Sequence, residues 1–390
     1  MCNHQIVKDR YDSKLFEVIP ALEKKLNSLN KSYLDKYNFY LNKIEVNKRN
    51  HKYPFLEDKL KSKITYLIYK YEIKANKILN FLEFNNQVLR NKNFNQLKDN
   101  WVESDLHLHR TNFFYFDQPK KPNHVLKEIE TTFLKNKTTV ILGKTGSGKS
   151  TLIQLLNGLN YATTGYIRNG NFYLFSNYKN FNSADLKAKF GLVFQFPDYQ
   201  LFANTIEEEI LAGPIALKLS AKNNHDYAHK YLAMVKLPLT FLNRSPFQLS
   251  SGQKRRLAIA SILANQVETL ILDEPNVGLD PAGIDWLKDL IKEMKEIQKK
   301  RVITITHDLD FALEIADQIK VVHEGKIAYD GDPFYLFRND QLLSKFELSK
   351  PNVIKFQERL KKQGIDIINN EDRNVKDLAK TITNFSREKS

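Results

Sequence analysis

Thr138-Thr139-Val140-Ile141-Leu142-Gly143-Lys144-Thr145-Gly146-Ser147-Gly148-Lys149-Ser150-Thr151 runs from a strand pattern through a glycine-spaced turn into an apolar helix pattern that opens at Leu152. Glycine at 143, 146 and 148 lets the main chain wrap closely round phosphate oxygens, and the N–H groups of the turn and of the helix start attract an anion. Lys149 is then placed to reach the β- and γ-phosphates and Ser150 to offer its hydroxyl to Mg²⁺, with Lys144, Thr145, Ser147 and Thr151 completing the loop. A glycine-rich turn by itself has purely structural uses. Lys followed by Ser and Thr, after a strand and before a helix, has little structural purpose, so the stretch reads as a nucleotide-phosphate loop.

Farther on, the buried-strand run Thr269-Leu270-Ile271-Leu272 ends in Asp273-Glu274. Two acids at a strand end lie where open α/β sheets bind their ligands, at the carboxyl edge. Asp273 is placed to hold Mg²⁺, through water, and Glu274 to polarise an attacking water as general base. From Leu106 to Asp332 short apolar strands alternate with helices and glycine turns, which predicts an α/β domain over 106–332 with a largely parallel sheet.

Ahead of it, residues 1–105 read as a helical extension. Leu22, Leu26, Leu29, Tyr33, Tyr37, Tyr40 and Ile44 recur at helical spacing, and a second stripe, Leu56, Leu60, Ile64, Leu67, Tyr71, Ala75, Ile78 and Leu82, follows a break at Pro54. Such stripes first of all bury each other, and a docking surface is the competing reading. Behind it, Val353, Phe356, Leu360 and Ile365 predict a small helical subdomain over 333–390.

The chain of 390 residues carries a net charge of +15. That balance would suit nucleic acid or an anionic lipid surface. Lysine is nonetheless scattered along the whole chain without a concentrated basic stripe, so no nucleic-acid partner is expected. The single cysteine, Cys2, has no partner for a disulfide or a metal cluster and fits a reducing compartment. Met1–Arg10 has no apolar core of a signal peptide, and no stretch reaches the ~20 apolar residues of a membrane span. Any membrane role is therefore expected to come through partners.

Leu249-Ser250-Ser251-Gly252-Gln253, followed by the helix pattern Lys254-Arg255-Arg256-Leu257-Ala258-Ile259-Ala260, resembles the signature loop of ABC-type ATPases. The resemblance covers about 106–332 and continues in motif order with Gln195 at a strand end, Gly278-Leu279-Asp280 as the D-loop, and His307 after the strand Val302 to Thr306. It implies a P-loop NTPase fold of ABC type, a RecA-like core with antiparallel β and α-helical subdomains. It further implies that Ser250, Ser251, Gly252 and Gln253 cap the γ-phosphate of ATP in a facing subunit, that Gln195 contacts Mg²⁺ and the nucleophilic water, that His307 holds the γ-phosphate, and that Phe116 stacks on adenine. Ser251 stands where the family usually has glycine. If that position needs a positive φ, a side chain there costs on the order of 1 kcal/mol.

Gln195-Phe196-Pro197-Asp198-Tyr199-Gln200-Leu201-Phe202, Gln253-Lys254-Arg255-Arg256 and Asp273-Glu274-Pro275-Asn276-Val277-Gly278-Leu279-Asp280-Pro281 look like the ATPases of energy-coupling factor transporters, most like the second of the paired subunits, the CbiO type. The tail from Gly331-Asp332-Pro333 resembles the region through which those paired ATPases touch. This implies ATP and Mg²⁺ as cofactors and a peripheral place on the cytoplasmic side of the cell membrane. The implied partners are a related second ATPase, a transmembrane coupling subunit and exchangeable vitamin-binding membrane subunits. Asp198 is expected to be exposed and available to an arginine of the transmembrane partner. The competing readings are the ATPase of another ABC importer or exporter, and an ABC protein acting on nucleic acid or ribosomes.

Overall fold

The computed structural model of the chain describes residues 105–118, 121–169, 172–175, 188–219, 225–363, 365 and 372–388, preceded by short stretches between 24 and 67. In those earlier stretches 31–36 and 38–45 are helical, with Leu29, Tyr33 and Tyr40 half-buried and Ile44 buried, at the predicted spacing. Leu22, Leu26, Tyr37, Pro54 and most of the second stripe lie outside the described residues.

Strands β1 (Leu106–Gln118) and β2 (Lys121–Phe133) form an antiparallel hairpin, and β3 (Thr138–Leu142) leads into helix α1 (Lys149–Leu156). Strands β4 (Thr164–Asn169) and β5 (Phe172–Phe175) complete a four-stranded antiparallel sheet in the order β2-β1-β4-β5. Faces alternate at the start of β1 and the end of β2: Leu106, Leu108, Ile129 and Phe133 are buried, while His107, His109, Glu130 and Thr132 take the other face.

After β6 (Phe190–Val193) come helices α2 (Ile206–Ala216), α3 (His225–Met234) and α4 (Ser251–Ala264), then β7 (Thr269–Asp273), α5 (Pro281–Glu296), β8 (Arg301–Ile305) and α6 (Leu309–Ile315). Strands β9 (Gln318–His323) and β10 (Lys326–Gly331) close a six-stranded sheet in the order β10-β9-β3-β8-β7-β6. All of its pairings are parallel except β10 with β9. Its central strands are buried along nearly their whole length because both faces are covered, with Thr138, Thr139, Thr269, Arg301 and Thr304 buried among the apolar residues. Val140 and Leu142 enter one core cluster, which includes Leu257, Leu270 and Phe311, whereas Ile141, Ile303 and Ile305 enter the other with Leu152 and Leu155.

This arrangement decides where chemistry can occur. Because β3, β8, β7 and β6 run the same way side by side, the segments that follow them emerge along one sheet edge. The tail forms α7 (Pro333–Arg338), α8 (Asp340–Phe346), α9 (Asn352–Lys362) and α10 (Val375–Glu388). Phe334, Leu336, Phe337, Leu343, Phe346 and Ile354 belong to the same core cluster as the central strands. Val353 and Leu378 make a small cluster with Leu360, Ile382 and Phe385. Phe356, on the predicted stripe, stays exposed.

Truncating Ile303, fully buried at the centre of β8, to Ala should cost about 2–5 kcal/mol in urea unfolding. Ile297→Ala, at a side chain 74% exposed, should change stability by less than about 0.5 kcal/mol. Equal effects from the two would contradict the placement of this sheet.

Candidate functional site

Gly143, Gly146 and Gly148 have φ of 141°, 79° and 109°, a region L side chains avoid. A Cβ at Gly143 would lie 2.2 Å from the Val322 carbonyl oxygen, and one at Gly148 would lie 2.8 Å from Leu126 Cδ2. The loop is therefore packed from outside against β9 and β2 too closely for anything but glycine. Helix α1 starts with Gly148 as its N-cap and no side chain bonded to its first N–H groups. Ser147 Oγ is buried with no hydrogen-bond partner. Uncapped N–H groups and an orphaned hydroxyl at a helix start fit a phosphate.

Lys149 is buried and its Nζ donates to the carbonyls of Gly143 at 2.6 Å and Lys144 at 2.8 Å. Burial holds its ammonium below the usual lysine range, while Glu274 and Asp273 pull it back up. Lys144, Thr145 and Ser150 are exposed, and Lys144 pairs with Glu347 beyond α8. Thr151 is buried, its hydroxyl 3.4 Å from Tyr115 OH.

Asp273 ends β7 and Glu274 follows at φ 49°, a left-handed turn that redirects the chain at the sheet edge. The Glu274 N–H donates to the Ile305 carbonyl at 3.0 Å, extending the β7–β8 pairing by one residue. Glu274 Oε2 accepts from the His307 main-chain N–H at 3.3 Å, and Oε1 lies 3.2 Å from His307 Nε2. Burial pushes the Glu274 carboxyl up, against the His307 N–H, Lys149 and Arg255. Burial pushes Asp273 further, to about 6, with Glu274 adding to it and Lys149 opposing. His307 is lowered by burial and by Lys149, against Asp273, a balance that favours the neutral ring. An all-oxygen donor set, the Ser150 hydroxyl and the Asp273 carboxylate, suits a hard cation such as Mg²⁺.

Gln195 follows β6, and its carbonyl accepts from Arg255 Nη2 at 2.8 Å while Arg255 Nη1 donates to the Glu274 carbonyl at 2.5 Å. Arg255 is buried and so locks helix α4 to the segments after β6 and β7 at once. Sequence reasoning passed over it as one of a basic run, and the signal was a charge on the inward face of an otherwise apolar helix. Asn276 was also missed. It accepts from Thr306 Oγ1 at 3.0 Å and donates to Asp308 Oδ2 at 3.3 Å, holding the turns after β7 and β8 together.

The signature segment forms the start of α4. Ser250 Oγ accepts from the Gln253 N–H at 3.3 Å and Gln253 Oε1 accepts from the Ser250 N–H at 3.0 Å, a reciprocal cap. Ser251 is the first helical residue and is not among the left-handed positions, so the strain a side chain would bring at a positive φ does not arise there. A Cβ at Gly252 would meet Leu279 Cδ2 at an ordinary 3.6 Å, which places the signature against the D-loop. Asp280 caps α5 by accepting from the Gly283 N–H at 2.8 Å. Asp198 is 56% exposed and is already paired within the chain, with Lys254 Nζ at 2.5 Å. Phe116 lies on β1 with its side chain outside the described residues; of its neighbours, Phe114 stacks on His124 at 3.9 Å and Tyr115 packs edge-on against Phe113.

Asp273 yields a test of these electrostatics. Its folded pKa lies above the value for an unfolded chain, so its contribution to stability is fully present below about pH 4 and is lost as pH rises through about 6. Asp273→Asn should therefore raise Tm of the nucleotide-free protein at pH 8 and leave it nearly unchanged at pH 4.5, as read by calorimetry. A destabilised variant at pH 8 would show that the carboxylate is stabilised there.

The ABC transporter family model matches residues 126–277. An energy-coupling factor transporter ATP-binding protein EcfA2 of Spiroplasma kunkelii is 43% identical over 282 residues, covering 72% of this chain and 92% of that protein. The solved structure of cbiO1 from Clostridium perfringens, part of the ABC transporter complex cbiONQ, is 30% identical with a TM-score of 0.55, over 66% of this chain and 96% of that one. A dimeric ATP-binding cassette in a post-hydrolysis state bound to ADP and Pi is 26% identical with a TM-score of 0.52, over 58% of this chain and 98% of that one. With the glycine loop 143–148, the paired acids and the histidine gathered at one sheet edge and with these similarities, the chain belongs to the ABC transporter ATPases, among the energy-coupling factor transporter ATP-binding proteins.

Proposed function

We propose that the chain works as one of two paired ATPases in an energy-coupling factor transporter, bound at the cytoplasmic face of the cell membrane to a transmembrane coupling subunit and to exchangeable vitamin-binding membrane subunits. The observation that carries the reading is the meeting of Lys149, Asp273, Glu274 and His307 at the ends of β3, β7 and β8. Among the described residues no helix is long and apolar enough to cross a membrane, which fits a subunit that acts through membrane partners.

ATP phosphates occupy the loop 143–151, where Lys149 exchanges its bonds to the Gly143 and Lys144 carbonyls for β- and γ-phosphate oxygens and Ser147 gains an acceptor. Ser150, Asp273 and Gln195 would hold Mg²⁺, which when bound would supply positive charge to the phosphates. Glu274 takes the proton of the attacking water, its basicity raised by burial. His307, held to Glu274 by its main-chain N–H, turns its ring to donate a hydrogen bond to the γ-phosphate. Ser250, Ser251, Gly252 and Gln253 close the site of the facing subunit from the capped start of α4. Asp280 holds the D-loop turn beside that segment, and the chain 195–202 receives the coupling subunit. There the apolar contact falls to Phe196, Tyr199 and Phe202, all exposed, because Asp198 is already engaged by Lys254.

Glu274→Gln tests the chemical step. In a complex whose partner site is blocked it should keep nucleotide affinity within about threefold while hydrolysis falls by at least about 100-fold, the scale of a lost general base. Hydrolysis at the wild-type rate would remove Glu274 from the role.

A further inference from the structure

On the outer face of the antiparallel sheet, far along β1 from Phe114, three side chains present donor atoms to one point. His107 and His109 alternate onto the same face of β1, and Glu130 reaches them from β2. Glu130 Oε1 lies 3.2 Å from His107 Nε2 and 3.1 Å from His109 Nδ1, and the three donor atoms all fall within 4.8 Å of one another. We propose that His107, His109 and Glu130 form a binding site for a late first-row transition-metal ion such as Zn²⁺ or Ni²⁺, separate from the nucleotide site.

Geometry, orientation and access each support it. Around a four-coordinate ion with bonds of about 2.0–2.1 Å, donors sit about 3.3 Å apart, close to the two spacings observed. The His107 ring is fixed by its Nδ1, 2.8 Å from Thr132 Oγ1, which leaves Nε2 directed at the carboxylate. Glu130 is steadied in turn, since its Oε2 accepts the Arg110 main-chain N–H at 2.9 Å. That N–H is turned towards it by the bulge after Leu108, where Arg110 takes φ 40°. Glu130 is 51% exposed and the two histidines about a quarter exposed, so an ion enters from solvent and a water completes its shell. Two imidazoles and one carboxylate favour zinc, nickel or copper over Mg²⁺, which prefers oxygen ligands. A purely structural cluster, with both rings donating N–H to Glu130, is the alternative that the experiment addresses.

The test is calorimetric titration of the full, nucleotide-free chain with Zn²⁺ in the presence of excess Mg²⁺, alongside Glu130→Gln, His109→Ala and Thr132→Val, each checked for folding by circular dichroism. One Zn²⁺ per wild-type chain is expected. Affinity should fall by at least about 100-fold in His109→Ala, and by about 10–100-fold in Thr132→Val, the range for lost ring-orienting partners. Zn²⁺ should raise Tm of the wild type and not of Glu130→Gln, which preserves side-chain volume. Wild-type protein that takes up no Zn²⁺, or folded variants that bind it as tightly as the wild type, would overturn the assignment.

Discussion

The parallel pairing of β3 between β8 and β9 is the constraint on which the molecule is built. It costs long crossover connections, because the chain leaves β3 and returns to the same sheet through β6, β7 and β8. In return, residues distant in sequence are set beside one another by main-chain bonds. Glu274 is placed on Ile305 by its own N–H, and His307 is then placed on Glu274. A side chain positioned by backbone pairing beside a sheet buried on both faces has little freedom to drift, which is what electrostatic preorganisation would require of the proposed catalytic groups.

Burial that gives rigidity also sets the charge state. Lys149, Asp273 and Glu274 share a partly dehydrated edge, and each is shifted towards its neutral form by burial while its opposite charges resist. Such groups weaken the free protein and favour a ligand that brings compensating charge, which the proposed polyphosphate and its cation would do. Arg255 belongs to the same design. It too is buried, and its two bonds to main-chain carbonyls couple the start of α4 to the segments after β6 and β7. One buried side chain thereby ties the helix that follows the signature segment to the turns that carry Gln195 and Glu274.

Much of this was legible in the sequence wherever local pattern and chemistry coincide. The runs at 138–142, 269–272 and 302–306 read as strands, and the glycines of the loop 143–148 announced positions that the structure places at positive φ. What sequence could not supply were pairings that depend on register. Asp198 faces Lys254 across the fold, where the sequence left it free for a partner's arginine. Ser251 proves to be an ordinary first-turn helical residue without a positive φ. Arg255 and Asn276 look like surface residues in one dimension and become links only when adjacent strands bring their partners close. The His107–Glu130 cluster depends on a bulge at Arg110 that no periodicity reveals. Most of the two stripes read between 22 and 82 falls outside the described residues.

The central claim is that this ATPase drives an energy-coupling factor transporter with a related ATPase beside it. Affinity capture of the chain from membranes solubilised in mild detergent, followed by mass spectrometry of what stays bound, tests this most directly. Recovery of a second, related ATPase, one shared transmembrane protein and several small vitamin-binding membrane proteins is expected. A single dedicated permease, or ribosomal proteins in place of membrane partners, would contradict it.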